Sequence, residues 1–301
     1  MPKMPPLKKR AVKLGEYLKK NTAYGSRSKV KSLLRSQRVL VNGQIEQSIS
    51  RNISSDFTVT ILPEKHHGAS IVQRGSYSLP TILILNKPCG CVTTLSDELN
   101  RPTVADFVPK HLLKAGLHPV GRLDQHSTGL LVLTTDGRLT RFLTDPKNHV
   151  AREYCCIVQG AINNFENLKQ KLKEGVDTRW GKFHGNLIEA KNIKISDIHV
   201  EHLEKCDKIF SRQDGPAPFP SIVNLTNVSL VKISVCEGKK RMVRRMLAYA
   251  NHPVLSLFRY KFGGIEIDCT YFCKTGSPLP GKTRTLLENE ETWLKSLYFS
   301  N

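Results

Sequence analysis

The apolar residues of this chain fall in short runs, and this pattern limits the folds that it can adopt. Val, Ile and Leu cluster in segments such as 81–85 and 130–133, bounded by Gly, Pro and Asn. No segment approaches the ~20 consecutive apolar residues that cross a bilayer. The hydrophobic content of 39% is enough to fill a core. We therefore expect a soluble, globular protein in which short strands and helices intermix.

A strong excess of positive charge narrows the choice of partner. The chain has 46 Lys and Arg residues against 26 Asp and Glu, which gives a net charge of +20 and a pI near 9.7. Such a chain is expected to bind a polyanion, either nucleic acid or an acidic membrane surface. Nucleic acid is favoured, because the sequence has no basic amphipathic helix long enough for a membrane surface. The basic N-terminus lacks the apolar core of a secretory signal, so we expect an intracellular protein, with cytoplasm and organelle both open.

The eight cysteines show no metal-binding pattern. They include no Cys-x-x-Cys pair and no histidine at zinc-finger spacing. We interpret them as reduced, mostly buried thiols and expect no metal site.

Residues 12–62 have the pattern of a small independent unit. Leu14, Tyr17 and Leu18 recur at helical spacing, and Ser26 is a suitable N-cap for a second helix. Asn42-Gly43 between apolar alternations predicts a hairpin, and a further alternation at 57–61 predicts another strand.

The second helix of this unit carries a basic ridge, which consists of Arg27, Lys31 and Arg35 at successive i,i+4 positions. A ridge of this kind is often only a solvated helix face. However, two short helices, the ridge and then Arg38-Val39-Leu40-Val41-Asn42-Gly43 together resemble the RNA-binding domain named after ribosomal small-subunit protein four. The resemblance implies that the ridge and Arg38 contact RNA phosphates.

The rest of the chain is predicted to form a linker and a larger domain. Residues 63–80 are rich in turn formers, so we interpret them as a linker before a domain at 81–296. The stretch 175–226 is the least regular and is predicted to contain a long surface loop. Helices are predicted at Val104–Val108, Leu139–Leu143, Phe165–Leu172, Arg241–Ala250 and Glu288–Lys295.

The most informative segment is 121–137, Gly-Arg-Leu-Asp-Gln-His-Ser-Thr-Gly-Leu-Leu-Val-Leu-Thr-Thr-Asp-Gly. Its Asp124 lies in a polar loop directly before an apolar strand. A loop on a rigid scaffold is where a reactive carboxylate belongs. An Asp between loop residues more often caps a turn, and these residues alone leave both roles open.

This segment resembles the catalytic motif of pseudouridine synthases of the RsuA-type branch, which act on ribosomal RNA. The resemblance gives Asp124 the role of the essential aspartate. Three further segments, 85–90, 152–158 and 237–246, resemble the family's first motif, its tyrosine strand and the helix with the basic partner of the aspartate. The segment 252–257 resembles the family's last motif. The implied site consists of Asp124, Tyr154, Arg244 (with Arg245 as the second choice) and Leu255.

The resemblance also implies a fold and a reaction. The fold is α+β, with a mixed, largely antiparallel central sheet and a small N-terminal α/β RNA-binding domain. The reaction detaches uracil from the ribose and rejoins it through C5 without redox change, so no cofactor is expected. The carboxylate must stay ionised beside a flipped base, and a nearby guanidinium favours that charge. Further contacts with structured RNA are expected from Lys87, Arg122, Arg241 and Arg245.

The same residues also fit less specific roles. The arginines at 241, 244 and 245 could be the solvated side of a helix, and Tyr154 could be a core aromatic. Met242 stands where the family often has a polar residue, which bears on the RNA target more than on the reaction. A non-catalytic RNA-binding or ribosome-assembly protein and a base-cleaving glycosylase are the rival functions. A monomer is expected, because no oligomerisation pattern is visible.

Overall fold

The computed structural model describes residues 12–22, 24–53, 56–62, 71–76, 80–194, 227–269 and 280–299. Contacts divide the chain between Leu79 and Pro80, and again between Glu291 and Thr292. The result is an N-terminal unit and a larger unit, Pro80–Glu291, each with its own core. None of the described helices is long and apolar enough to span a membrane.

The N-terminal unit combines two helices with short strands. Its elements are β1 (Val12–Lys13), α1 (Leu14–Asn21), α2 (Arg27–Arg35), β2 (Val39–Val41), β3 (Gln44–Ile45), β4 (Asn52–Ile53), β5 (Asp56–Ile61) and β6 (Ile71–Ser76). Strands β3, β2, β5 and β6 form one antiparallel sheet in that order, and β1 pairs with β4.

Local sequence signals account for this unit well. The Ser26 hydroxyl accepts a hydrogen bond from the Lys29 backbone N–H at 3.3 Å, so the predicted N-cap of α2 is confirmed. The hairpin at Asn42-Gly43 is also confirmed, with φ of 51° and 81° at the two turn residues. Positive φ at both positions is what a two-residue type I′ turn requires, and Asn and Gly tolerate it best.

One prediction for this region is wrong in part. Residues 71–76, interpreted as linker, form strand β6 and pair with β5 along its whole length. Their sequence, Ile-Val-Gln-Arg-Gly-Ser, has little apolar alternation, so its strand character comes from hydrogen bonds to β5. The remaining linker residues, 63–70 and 77–79, lie outside the described residues.

The remaining strands and helices belong to the larger unit, except that the last helix continues past its boundary at Glu291. The strands are β7 (Ile82–Lys87), β8 (His118–Pro119), β9 (Thr128–Thr134), β10 (Arg152–Gln159), β11 (Val176–Thr178), β12 (Gly181–Phe183), β13 (Asn186–Ile193), β14 (Val228–Val235), β15 (Val254–Phe262), β16 (Ile265–Glu266) and β17 (Thr283–Arg284). The α-helices are α3 (Lys110–Lys114), α4 (Gly137–Thr144), α5 (Phe165–Glu174), α6 (Met242–Tyr249) and α7 (Glu288–Phe299). Short 3₁₀ helices lie at Val104–Phe107 and Pro146–Asn148.

Four of the five helices predicted in this region are confirmed as α-helices, and the first is a 3₁₀ turn instead. In the stretch 175–226, residues 176–193 are more regular than predicted, because they form β11, β12 and β13. Residues 195–226, including the Gly- and Pro-rich run, lie outside the described residues.

A nine-stranded sheet forms the centre of the described part of this unit. Its main order is β13-β14-β10-β15-β9-β7-β17, with β8 beside β9 and β16 beside β15. Among these pairs only β15 and β9 run parallel, so the predicted α+β fold with a mixed, largely antiparallel sheet is confirmed. At the parallel contact a Cβ on Gly129 would lie 2.3 Å from the Arg259 carbonyl oxygen, so only glycine fits there.

Candidate active site

A cavity of about 220 Å³ opens beside the loop that joins β8 to β9. Its walls come from this loop, from strands β10, β14 and β15, and from the segment that leads into α6. The cavity contains two acidic side chains, Asp124 and Glu237. Its cationic lining residues are Arg122, Arg152, Lys239, Lys240, Arg241 and Arg259. Cations therefore outnumber carboxylates, which suits a phosphate-bearing ligand.

The loop that carries Asp124 is fixed by Lys87 at the end of β7. Lys87 is 0% exposed, and its Nζ donates to the backbone oxygens of Gln125 at 3.1 Å, Ser127 at 2.9 Å and Pro88 at 3.0 Å. All three ammonium hydrogens are therefore used within the protein. Burial lowers the pKa of Lys87, while the nearby Cys91, Cys89 and Asp124 side chains act in the opposite direction.

This placement corrects the prediction that Lys87 contacts RNA. The sequence suggested a solvent-facing lysine at the end of a strand, but every residue of β7 is buried. All three of its ammonium hydrogens are donated to backbone oxygens, which leaves none for a phosphate, so Lys87 acts inside the protein by holding the loop of Asp124.

Every backbone carbonyl from Leu123 to Ser127 accepts a hydrogen bond. Besides the two bonds from Lys87, the donors are the Thr93 hydroxyl to Leu123 (2.7 Å), the Ser127 N–H to Asp124 (3.0 Å), the Gly90 N–H to Gln125 (2.9 Å) and Arg244 Nη2 to His126 (3.3 Å). A loop held at each residue gives its side chains little freedom to move. The backbone of Asp124 is therefore positioned before a ligand arrives.

The Asp124 side chain lies partly buried in the cavity wall. Among the hydrogen bonds that the described residues make, none goes to its carboxylate oxygens. A turn-capping role would require such a bond from a neighbouring N–H. Asp136 shows the contrast, because its side chain caps α4 by accepting from the Arg138 N–H at 2.9 Å. The Asp124 carboxylate is thus available to a ligand.

Tyr154 forms another part of the wall, from β10. It is 8% exposed and belongs to the core cluster that also contains Leu123 and Leu257. The structure therefore brings Tyr154 and Asp124 to one cavity. Tyr154 is both a core aromatic and a cavity residue, so its two predicted roles are compatible.

Arg244, the predicted partner of Asp124, is buried on α6 and is absent from the cavity lining. Its Nη1 donates to the Val254 oxygen at 3.1 Å and its Nη2 donates to the His126 oxygen at 3.3 Å. It is therefore not on a solvated helix side. The guanidinium joins α6 to the loop of Asp124 and to the start of β15.

Leu255 does not line the cavity, and Leu257 does. The pairing of β15 with β10 skips Leu255, since Ile157 pairs with Ser256 and Val158 with Val254. Such a bulge places two residues opposite one and shifts which side chains face the core. The sequence gives no signal for this bulge, and the resemblance to the family's last motif indicated Leu255.

The other predicted RNA contacts lie in three different places. Arg122 and Arg241 line the cavity, with Arg122 exposed. Arg245 is 8% exposed and its guanidinium stacks on the Trp180 ring, 3.6 Å from the centroid. Arg245 is thus a packing residue of α6 rather than an open phosphate site. The basic ridge and Arg38 belong to the N-terminal unit, where the ridge is exposed and Arg38 Nε donates to the Leu62 oxygen at 2.8 Å.

Two buried arginines of the cavity were missed by sequence reasoning. Arg152 and Arg259 lie on adjacent strands, and each guanidinium is 5.0 Å from the centroid of the Phe262 ring. A sequence signal existed for Arg259, because a charged residue in the otherwise apolar run Leu257-Phe258-Arg259-Tyr260 requires a buried partner.

The remaining titratable group of the loop is His126. Burial lowers its pKa, and the positive charges of Arg244, Arg241 and Lys87 lower it further. A neutral imidazole is therefore favoured beside Asp124. In the described part of the chain no three His, Cys, Asp or Glu side chains group as a metal site would require.

The chain is similar to known RNA-modifying enzymes. Residues 81–249 match the family described as RNA pseudouridylate synthase. An uncharacterized RNA pseudouridine synthase of Mycobacterium leprae is 29% identical over 292 residues, 96% of this chain and 93% of the relative. The ribosomal large subunit pseudouridine synthase E of Vibrio vulnificus is 33% identical over 62% of this chain and 70% of its own. The ribosomal small subunit pseudouridine synthase A of Haemophilus influenzae is 27% identical over 85% of this chain and 91% of its own.

Proposed function

Because the chain belongs to the RNA pseudouridylate synthase family, we propose that it converts uridine to pseudouridine in ribosomal RNA, with Asp124 as the reactive carboxylate. The predicted enzyme class, an isomerase that acts on RNA, is confirmed by the family match, and so is the resemblance to the RsuA-type branch. The proposal concerns the RNA target and the roles of individual residues.

The names of the relatives support ribosomal RNA as the target. The relatives from Vibrio vulnificus and Haemophilus influenzae are named for the large and the small ribosomal subunit, respectively. The net charge of +20 suits a large polyanion. The exposed ridge on α2 offers three cations to phosphates without choosing a sequence.

One observation carries the assignment of Asp124. Its carboxylate lies in the wall of a cationic cavity, and no described residue donates a hydrogen bond to it. The backbone carbonyls of its loop, by contrast, all accept hydrogen bonds. Such a carboxylate has lone pairs available and a fixed position, which are the needs of a nucleophile or a general base.

The chemistry begins when a flipped uridine enters the cavity. In one route an Asp124 oxygen bonds to C1′ as the C1′–N1 bond breaks, and the electron pair of that bond leaves with uracil. In the other route Asp124 takes the proton from C2′, and the same bond breaks to leave a glycal. In the first route uracil turns, C5 attacks C1′ and the Asp124–C1′ bond breaks, which frees the carboxylate. In the second route C5 bonds to C1′ of the glycal and Asp124 returns the proton to C2′. In both routes C5 then loses its proton and N1 gains one, so the product is an isomer of uridine.

The cavity walls suit a flat base. The Tyr154 ring offers a stacking face, and Leu257 supplies apolar surface from β15. Flipping a base costs a few kcal/mol, and stacking at about 1–3 kcal/mol per base offsets much of this cost. Arg244 acts through the loop carbonyl of His126, so we assign it a positioning role.

The test is a map of pseudouridine in ribosomal RNA from cells that lack this protein, rescued with wild type, Asp124→Asn or Asp136→Asn. We expect wild type and Asp136→Asn to restore one or a few sites. Asp124→Asn should restore none, because loss of a catalytic nucleophile or base costs about 10⁴-fold or more in rate. Asp136 is a matched control, since its carboxylate caps a helix outside the cavity lining.

Four other results would overturn parts of the proposal. Full rescue by Asp124→Asn would remove Asp124 from the reaction. An unchanged map in the deletion strain would exclude ribosomal RNA and move the search to other RNAs. Purified wild type that binds RNA and leaves every uridine intact would favour a binding protein, whereas free uracil and an abasic site would show a glycosylase.

A further inference from the structure

Arg259 combines burial with an unused hydrogen-bond donor in the cavity of Asp124. It is 2% exposed, and its Nε donates to the Leu130 oxygen on β9 at 2.8 Å. Its Nη2 is buried and has no hydrogen-bond partner among the described residues. A buried donor without a partner costs stability, so its persistence in a cavity points to an acceptor on a ligand.

Of the two buried arginines that line the cavity, Arg152 and Arg259, only Arg259 has a buried nitrogen that no described residue binds. Both guanidinium groups flank Phe262 at 5.0 Å, and both residues line the cavity. Arg152 donates to the oxygens of Val150, Cys236 and Leu143, at 3.3, 2.9 and 3.0 Å. These bonds of Arg152 join strand and loop segments. In Arg259, by contrast, Nη2 is available to an acceptor on a ligand.

A second unsatisfied polar group lies in the same cavity. The Ser127 hydroxyl is buried and finds no hydrogen-bond partner in the described part of the chain, although its residue lines the cavity beside Asp124. Asp124, Ser127 and Arg259 therefore line one small cavity. Ser127 and Arg259 each have a donor that no described residue uses.

The position of Arg259 indicates which part of a nucleotide it meets. Arg259 pairs directly with Tyr154 across β15 and β10. Side chains of directly paired strand residues lie about 5 Å apart, so a base stacked on Tyr154 would bring an edge near Arg259. Phosphates would instead meet the exposed cations of the lining, Arg122, Lys239 and Lys240.

Resting on the proposed function, we propose that Arg259 is a catalytic residue that donates from Nη2 to a carbonyl oxygen of the flipped uracil. When the C1′–N1 bond breaks, its electron pair stays on uracil, which becomes an anion. That charge is shared between N1 and the O2 and O4 oxygens. The buried guanidinium stabilises the oxygen that gains charge and remains protonated throughout, so no proton or electron leaves Arg259.

The same contact would favour uracil over cytosine. Cytosine carries an amino group where uracil has O4, and an amino group cannot accept from a guanidinium. If the contact is to O4, Arg259 selects the base as well as stabilising it. If the contact is to O2, which cytosine shares, it serves the anion alone.

The test compares wild type, Arg259→Gln and Arg259→Lys in single-turnover release of tritium from C5 of labelled uridine in a ribosomal RNA transcript. Loss of one donor to a developing anion typically costs about 10²–10³-fold, which we expect for Arg259→Gln. Arg259→Lys should recover part of the rate because it keeps the charge. RNA affinity, measured by filter binding, should stay within about threefold, since the charged rim is unchanged.

A second measurement separates contact with the base from a structural role. RNA with 2-thiouridine or 4-thiouridine at the target replaces one oxygen by sulfur, a weaker acceptor. One of the two should slow wild type, and that slowing should disappear in Arg259→Gln. If Arg259→Gln is slow but keeps the full sulfur effect, Arg259 is structural and the proposal fails.

If the Arg259→Gln protein does not fold, the proposal can still be overturned, because the sulfur effect is measured first on wild type. If neither sulfur substitution slows wild type, no donor meets a uracil oxygen and the proposal is overturned. A wild type that releases no tritium from any ribosomal RNA would instead contradict the proposed function. The two failures are therefore distinguishable.

Discussion

Two sets of cations in this chain differ in where their hydrogen bonds go. One set is buried in the larger unit and comprises Lys87, Arg152, Arg244, Arg245 and Arg259. The other is the exposed ridge on α2, whose three residues make no hydrogen bond or ion pair within the described part of the chain. Each cation of either set counts equally in a net charge that suggests RNA binding.

The difference teaches that positive charge in an RNA-binding protein has two separate uses. Lys87, Arg152, Arg244 and Arg259 donate to backbone carbonyls, and Arg245 stacks on Trp180. Removing one of the four donors leaves its acceptors without that partner. Exposed cations meet phosphates and release counterions, so their contribution falls as salt rises. Stability should therefore report on the first set and salt-dependent affinity on the second.

The largest effect is expected from Lys87→Met, which keeps the apolar stem and removes three hydrogen bonds. The oxygens of Gln125, Ser127 and Pro88 lose this donor, and we expect a loss of about 3 kcal/mol in the free energy of unfolding. Urea denaturation at two salt concentrations measures it. The exposed Lys110→Met is the control and should change stability by less than about 0.5 kcal/mol. If the Lys87→Met protein is as stable as the control, buried cations do not stabilise the fold more than exposed ones.

A smaller effect, on binding alone, is expected when Arg27, Lys31 and Arg35 are all changed to Glu. Affinity for ribosomal RNA should fall by about 10–100-fold at low salt, and the slope of log K against log salt should decrease by about 3 in magnitude. The melting temperature should stay unchanged, because these side chains hold nothing in place. Filter binding over a salt series measures the slope.

The control for the ridge is a triple Glu variant of Lys110, Lys114 and Lys173, which changes net charge equally from exposed positions of the larger unit. Equal losses of affinity in the two variants would show that only bulk charge matters. A steeper loss in the ridge variant assigns RNA contact to α2.

The smallest effect concerns His126 and pH. Burial and neighbouring cations lower its pKa in the folded state below 6.5, so the unfolded chain binds more protons as the pH falls below this value. Stability should therefore decrease from about pH 7 to about pH 5, and His126→Gln should flatten part of this decrease. The pH series of urea midpoints checks it. His252, whose pKa is also lowered by burial, keeps some of the slope in the variant.

The candidate site shows where prediction from sequence ends. Asp124 and Tyr154 were predicted from the sequence, and both line the cavity. The motif indicated Leu255, whereas Leu257 lines the cavity, and the bulge in β15 at Leu255 has no signature in an apolar run. Lys87 was predicted to contact RNA, because the sequence does not show that a loop about 40 residues away in the chain buries it.

The sequence by itself determined the local elements and the family. The Asn42-Gly43 turn, the Ser26 cap and the periodicity of α4 to α7 depend on neighbouring residues, whose preferences act over a few positions. The tertiary structure alone decided strand β6, the bulge at Leu255 and the partners of the buried cations. These depend on hydrogen bonds between segments far apart in the chain, and a buried charge is stable only where the fold brings acceptors to it.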